Sequence, residues 1–304
     1  MTQPDNTIVS THLGQKSTYR STYDPTLLVR EPRQNNRTHL GLKNDNLPFV
    51  GFDVWNAYEI SCLLDNGTPI VAYAKIVYPC DSEYIVESKS LKLYLNSFNM
   101  NKRGDSVITA LKNLTFAISD DLTRLLGITV QVYLYNASDI ALHLTSSGVF
   151  NWDHRYQTLE KIVDVAKLNC NIYKASPNIL RSHEVESPIL QTYHSSLLKS
   201  NCRVTGQPDW GDIYIHCISN RLLDPASLLQ YIISYRDENH FHEEVIETIY
   251  MNLYNLLMPS QLCVQGLYVR RGGIDINPIR ASNHNLIENI AVNASSGCIR
   301  SPRQ

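Results

Sequence analysis

The chain has 304 residues, 43% of them hydrophobic and 18% charged, with a formal net charge of −2. That length can bury a large core as one big domain or two ordinary ones. The charge balance offers no basic excess for a nucleic-acid surface, and no apolar run is long enough to span a bilayer.

In chain order, residues 1–38 read as a polar tail, ordered in part at best. Residues 47–58 are the first apolar, aromatic segment, and their large side chains suit a core. Residues 69–78 are rich in β-branched and aromatic types and read as a strand. After a turn at 79–82, residues 84–95 read as a second strand. There, alternation sends Glu87 and Lys89 to one face, which by pattern alone is a solvated surface with an ion pair. A helix starts at Asp105 or Ser106 and carries the stripe Val107, Leu111, Leu114 and Ile118. Ser119-Asp120-Asp121 reads as a second cap before a stop at Gly127, and residues 128–135 as a strand. This first unit covers 39–145, and 146–190 reads as a connection to a second unit at 191–304. His154, His183 and His194, in or near the connection, lack HxxxH or HExxH spacing and read as structural.

The second unit repeats the rhythm. Residues 198–211 read as a loop, because Gly206 and Pro208 disfavour a continuous helix. Residues 212–219 alternate as a strand. Asp224-Pro225 caps and opens a helix with the stripe Leu228, Leu229, Ile232 and Ile233. Residues 239–244 lead into a second helix carrying Val245, Ile246, Ile249 and Leu253, ended by Pro259. Residues 262–269 read as a strand and 270–278 as a turn after it. Strands on either side of paired helices, twice over, suggest an internally duplicated α+β unit.

The seven cysteines are odd in number and none has CxxC spacing, which argues against a disulfide framework and a zinc ribbon. Residues 1–10 lack a basic stretch followed by an apolar one, so no signal peptide is expected and a cytoplasmic protein with reduced thiols fits. GxGxxG and GxxxxGK[ST] are both absent, so any nucleotide cofactor must be held without a Rossmann turn or P-loop.

The chemistry concentrates at 198–211. Lys199 and Arg203 flank Cys202, and a nearby cation favours the nucleophilic thiolate. The loop can fold Asp209 back toward the thiol, where it would give or take a proton. A lone Cys is more often a small buried hydrophobe and an Asp after Pro a turn residue, so the loop takes its meaning from other segments. His240 and His242 form only an HxH pair, and acidic residues at a helix start also suit the helix dipole.

Five separated stretches, 47–58, 87–99, 198–211, 241–243 and 268–278, together resemble the long, two-module form of the NADPH-dependent 7-cyano-7-deazaguanine reductases of queuosine biosynthesis, a route of tRNA modification. The most specific are Glu87-Ser88-Lys89-Ser90-Leu91-Lys92-Leu93-Tyr94 and the loop from Cys202 to Asp209. The resemblance implies an α+β fold of tandem tunnelling-fold modules, each an antiparallel sheet with paired helices. It implies that Cys202 attacks the nitrile carbon to form a thioimide and that Asp209 donates the proton. Val86, Glu87, Ser88, His242 and Glu243 would hold the deazaguanine, and Ser88, Lys89, Arg271 and Gly272 the NADPH, with no metal. The partners implied are this small-molecule substrate and a second copy in a homodimer, without direct nucleic-acid or membrane contact. Two other readings stay open: a cysteine hydrolase or amidohydrolase using Cys202, a His and Asp209, and a non-catalytic purine-binding or RNA-binding module.

Overall fold

Alternating burial along Val50–Leu63 (β2) and near-continuous burial along Pro69–Pro79 (β3) create a hairpin from which the sheet grows. The structure, a computed structural model, describes residues 20–137 and 156–287. The readings made above on residues 1–19, His154 and Cys298 lie outside the described residues. Gln131–Asn136 (β5) adds to β3 on one side. On the other side come Ile274–Ala281 (β11), Gln261–Tyr268 (β10), Pro208–Leu223 (β8) and Ser182–Cys202 (β7), in that order. These pairings are antiparallel, and the two-residue strands Gln157–Thr158 (β6) and Asn239–His240 (β9) pair in parallel with β7. Because β11 pairs with β2, one sheet runs through both halves, with Asp275 opposite Asn56 and Pro278 opposite Asp53.

A pair of helices lies over each half. Ser88–Asn96 (α2) and Val107–Leu126 (α3) bury Leu91, Leu95, Leu114, Ile118 and Leu122 in one cluster with Trp55, Ile60 and Ile76. Pro225–Ile233 (α5) and His242–Leu257 (α6) bury Leu228, Ile232, Ile246 and Ile249 in a second cluster with Ile213, Ile215 and Val264. Two shorter helices, Gln34–Arg37 (α1) and Leu159–Ile162 (α4), complete the set used here. The architecture is α+β: one largely antiparallel sheet with a pair of helices over each half.

Several elements differ from the sequence reading. Residues 84–95 are not one strand: Tyr84–Val86 (β4) stops at Glu87, whose carboxylate accepts the Lys89 and Ser90 backbone N–H groups and caps α2. The deciding signal is the i, i+3, i+4 spacing of Leu91, Tyr94 and Leu95, all buried, which only a helix puts on one side. Ser119-Asp120-Asp121 does not start a new helix. Asp121 is buried inside α3 and accepts the Tyr23 and Tyr94 hydroxyls, each at 2.6 Å. Residues 198–211 belong to the β7–β8 hairpin and leave only 203–207 as its turn. The turn read at 270–278 ends at Gly273, and β11 follows even though Pro278 lacks an N–H for a central strand. Strand β7 begins within the stretch read as a connection.

The stretch read as a partly ordered tail is built into the core from residue 20 onward. Arg30–Pro32 (β1) pairs with β4, and Arg33 and Arg37 are 2% and 0% exposed. Arg33 and Arg280 both bond Asp53, while Arg37 and Arg280 both bond Glu247. Burial alone would raise these two carboxyls, but the arginines outweigh it and hold both below the ordinary carboxylate range. The network ties the N-terminal segment, β2, β11 and α6 together at the seam between the halves. Fully paired buried charges are tolerated, whereas one left without its partner is strongly destabilising.

Candidate active site

The seam holds a cavity of about 290 Å³. Its walls come from β2, the start of α2, the β7–β8 hairpin, the start of α6 and the β10–β11 turn. Every site residue implied by the resemblance lines it, although the segments lie far apart along the chain, whereas Lys199 and Arg203 do not.

The hairpin brings Cys202 and Asp209 close. Asn201 pairs with Pro208 and Ser200 with Asp209, so the acid enters its strand one pair past the turn. Within the turn, the Cys202 N–H donates to the Gln207 carbonyl at 2.8 Å, and the Gly206 N–H to the Cys202 carbonyl at 2.9 Å. Gly206 sits at φ +65°, a left-handed conformation that favours glycine.

The cations flanking Cys202 in sequence are not its partners. Lys199 donates to Asn201 Oδ1 at 2.6 Å and to the Arg236 carbonyl at 2.7 Å. Arg203 Nη2 lies 2.8 Å from each oxygen of Glu244, and its Nη1 donates to Asn36 Oδ1. Thr205 and Arg271 instead share the cavity wall with the thiol. Burial pushes the thiol pKa up, but Thr205, Arg271 and the backbone of the turn favour the thiolate more strongly, and the net shift is downward.

Asp209 is 6% exposed, with Arg271 Nη2 at 3.2 Å from Oδ1 and His242 Nε2 at 3.6 Å from Oδ2. The His242 ring lies against Tyr268 with centroids 4.0 Å apart. His242 thus stands on the acid, and among the described residues no hydrogen bond joins it to Cys202, the link that a hydrolase triad uses. Next to it, Glu243 is 4% exposed and its Oε1 has no hydrogen-bond partner among the described residues. Burial first, then the charge of Asp53, pushes the Glu243 carboxyl up to about 7, against the opposing pull of His242 and Arg33. The buried Trp55 indole N–H, on a residue lining the same cavity, also has no partner among the described residues. A donor and an acceptor left without partners in one cavity suit a planar polar ligand.

The opposite rim is cationic. Ser88 and Lys89 open α2, and Lys92 follows one turn later. Gly272 sits at φ +62°, and a Cβ there would lie 2.7 Å from Lys92 Nζ. Lys92 beside this glycine, Arg271 next to it in the chain and Lys89 on the same cavity wall suit an anionic group of phosphate type, with Lys92 also 4.0 Å from Glu59. Sequence reasoning missed Lys92, Trp55, Thr205 and Gln207. Lys92 stood inside the most specific motif, but a strand reading turned it away from Lys89; in a helix the two lie i, i+3 and share a face.

Fold and site together define a class: a two-unit α+β protein with a cysteine–carboxylate pocket at the seam of its units. Two family models match the chain, one described as nitrile reductase, 7-cyano-7-deazaguanine-reductase N-term, over residues 19–134, the other as QueF-like protein, over 208–286. An NADPH-dependent 7-cyano-7-deazaguanine reductase of Cupriavidus metallidurans is 41% identical over 90% of this chain and 93% of its own. One from Rickettsia massiliae is 42% identical over 89% of this chain and 92% of its own. The chain belongs to the NADPH-dependent 7-cyano-7-deazaguanine reductase family. Likeness to a solved structure is slight: the archaeosine synthase QueF-Like in the apo form covers 32% of this chain and 95% of its own at 15% identity, with a TM-score of 0.28.

Proposed function

We propose that the protein reduces the nitrile of 7-cyano-7-deazaguanine to the aminomethyl group, with NADPH as reductant, as a step of queuosine formation. The observation that carries this reading is the meeting of Cys202, Asp209 and the unpartnered Glu243 in one cavity of a chain from this family. Glu243 accepts hydrogen bonds from the N–H edge of the base, beside Val86, Glu87 and Ser88. His242 closes over the ring from its place on Tyr268. The Cys202 sulfur adds to the nitrile carbon, Asp209 gives its proton to the nitrile nitrogen, and the product is a covalent thioimide. Ser88, Lys89, Lys92, Arg271 and Gly272 would hold the cofactor at the cationic rim. NADPH, when bound there, supplies hydride to that carbon, and the full reduction to an amine consumes two equivalents. After the first reduction the carbon–sulfur bond breaks, Cys202 leaves as thiolate, and an imine remains. Water would hydrolyse that imine, so the largely apolar cavity retains it between the two reductions.

From the same resemblance we take the chain to be two tandem modules, 39–145 and 191–304, working as a cytoplasmic homodimer that binds the free base and not tRNA. Among the described residues no helix is long and apolar enough to cross a membrane. Purified protein with 7-cyano-7-deazaguanine and NADPH should consume two NADPH per amine formed. Amide or acid without NADPH loss would mean a hydrolase, and binding without turnover would mean a binding module. Sedimentation, with and without tRNA, checks the assembly.

A further inference from the structure

We propose that Arg271 is a positioning residue for the reaction: its guanidinium clamps the turn after Cys202 to Asp209 and holds a positive charge on the loop that presents the sulfur. The inference deepens the reading of Cys202 as nucleophile and rests on it.

The clamp is visible in the contacts. Arg271 Nη1 donates to Thr205 Oγ1 at 3.1 Å and to Gln207 Oε1 at 2.9 Å, two side chains of the five-residue turn. Its Nη2 lies 3.2 Å from Asp209 Oδ1. One planar fork therefore ties Asp209 to the turn that joins it to Cys202. A lysine, with a single nitrogen, does not span that set of acceptors. The base of the fork is itself fixed. The Arg271 N–H donates to the Ile274 carbonyl at 2.9 Å, across Gly272 and Gly273, both in left-handed conformations that favour glycine.

The other charged groups around the sulfur are committed elsewhere or stand apart from it. His240, opposite Cys202 on β9, has its Nε2 3.1 Å from Glu238. Arg203 is held by Glu244, and His242 stands on Asp209. Glu243 on α6, and Glu87, Lys89 and Lys92 across the cavity, line the same space. Among these cations Arg271 is the one held on the turn after Cys202, and its charge opposes the upward push of burial on the thiol. Part of its service to the cofactor is thus, on this proposal, service to the thiol.

The thiol profiles need neither substrate nor cofactor, and only the comparison KM for NADPH does. Iodoacetamide alkylation of Cys202 is followed by peptide mass across pH for wild type, Arg271→Gln, Arg271→Lys and Thr205→Val. Arg271→Gln should shift the alkylation midpoint upward and slow alkylation at neutral pH about tenfold, the change that one pH unit represents. Arg271→Lys, which keeps the charge and loses the fork, should fall between that variant and wild type. Thr205→Val should shift the midpoint less, because Arg271 stays. Profiles that superimpose on wild type, with only the KM for NADPH raised, would make Arg271 a cofactor ligand and overturn the proposal. If Arg271→Gln does not fold, an unmoved midpoint in both Arg271→Lys and Thr205→Val overturns it equally. Loss of the nitrile-reductase reading would show in the turnover assay and leave these thiol profiles unchanged.

Discussion

Replacing Glu243 by Gln separates what this carboxylate does for the ligand from what it costs the fold. The side chain is 4% exposed, and its carboxyl is pushed up to about 7 from an ordinary 4.5. A group whose pKa is higher in the fold binds its proton more tightly there. Its contribution is therefore most favourable below about pH 4.5 and is lost as the pH rises through about 7. That gap, at ~1.36 kcal/mol per pH unit, comes to about 3 kcal/mol. Gln has nearly the same shape and no charge to desolvate. Glu243→Gln should then be more stable than wild type at pH 8, by up to about 3 kcal/mol, with the advantage shrinking toward pH 5. Urea unfolding at fixed protein concentration, at both pH values, measures this. The same variant should bind 7-cyano-7-deazaguanine more weakly at pH 8, because a charge-assisted acceptor contributes roughly 1.5–3 kcal/mol, or about ten- to a hundredfold. A variant less stable than wild type at pH 8, or a stability difference that ignores pH, would refute the reasoning about burial. Unchanged affinity would refute the anchor.

Cys202→Ala should abolish turnover yet still bind the base, and wild type with the nitrile alone should gain the mass of one substrate on the Cys202 peptide. Burial pushes the Cys217 and Cys263 thiols up to about 11 and about 12, so an adduct on either would refute the assignment. Lys89→Ala and Lys92→Ala should each raise the KM for NADPH about tenfold or more and reduce the preference over NADH in at least one case; steady-state kinetics with both cofactors decide it. Glu247→Leu leaves Arg37 and Arg280 buried without their shared acceptor, and should cost about 3–5 kcal/mol in urea unfolding; a loss under 1 kcal/mol would mean that water reaches the network.

Much of the site was legible because its chemistry sits in short local motifs. The Cys202–Asp209 spacing predicts a fold-back, and a hairpin supplies it. Local patterns failed where distant partners decide. Alternation of charges suggested a strand at 84–95, whereas the burial of Leu91, Tyr94 and Leu95 under the sheet makes it a helix and turns Glu87 into its cap. Asp121 looks like a cap until Tyr23, 98 residues earlier, arrives to satisfy it. Arg33 and Arg37 read as tail because a buried arginine is favourable only with its acceptor, and Glu247 lies 210 residues from Arg37. The cation that clamps the turn was missed for the same reason: flanking charge in sequence says little about which guanidinium the turn will meet.

The seam between β2 and β11 also sets a stoichiometry. Each half has a long hairpin followed by a pair of helices, yet the halves have kept complementary parts. The second half ends the first strand of its hairpin with Cys202, where the first half has Leu63. The first half opens the helix after its hairpin with Glu87-Ser88-Lys89, where the second has Asp224-Pro225. Among the described residues, Cys202 and the start of α2 line one cavity within a single chain. On the proposed reading two halves of like architecture therefore yield one reaction centre, and a saturated preparation should carry one equivalent of bound nitrile per chain, not two.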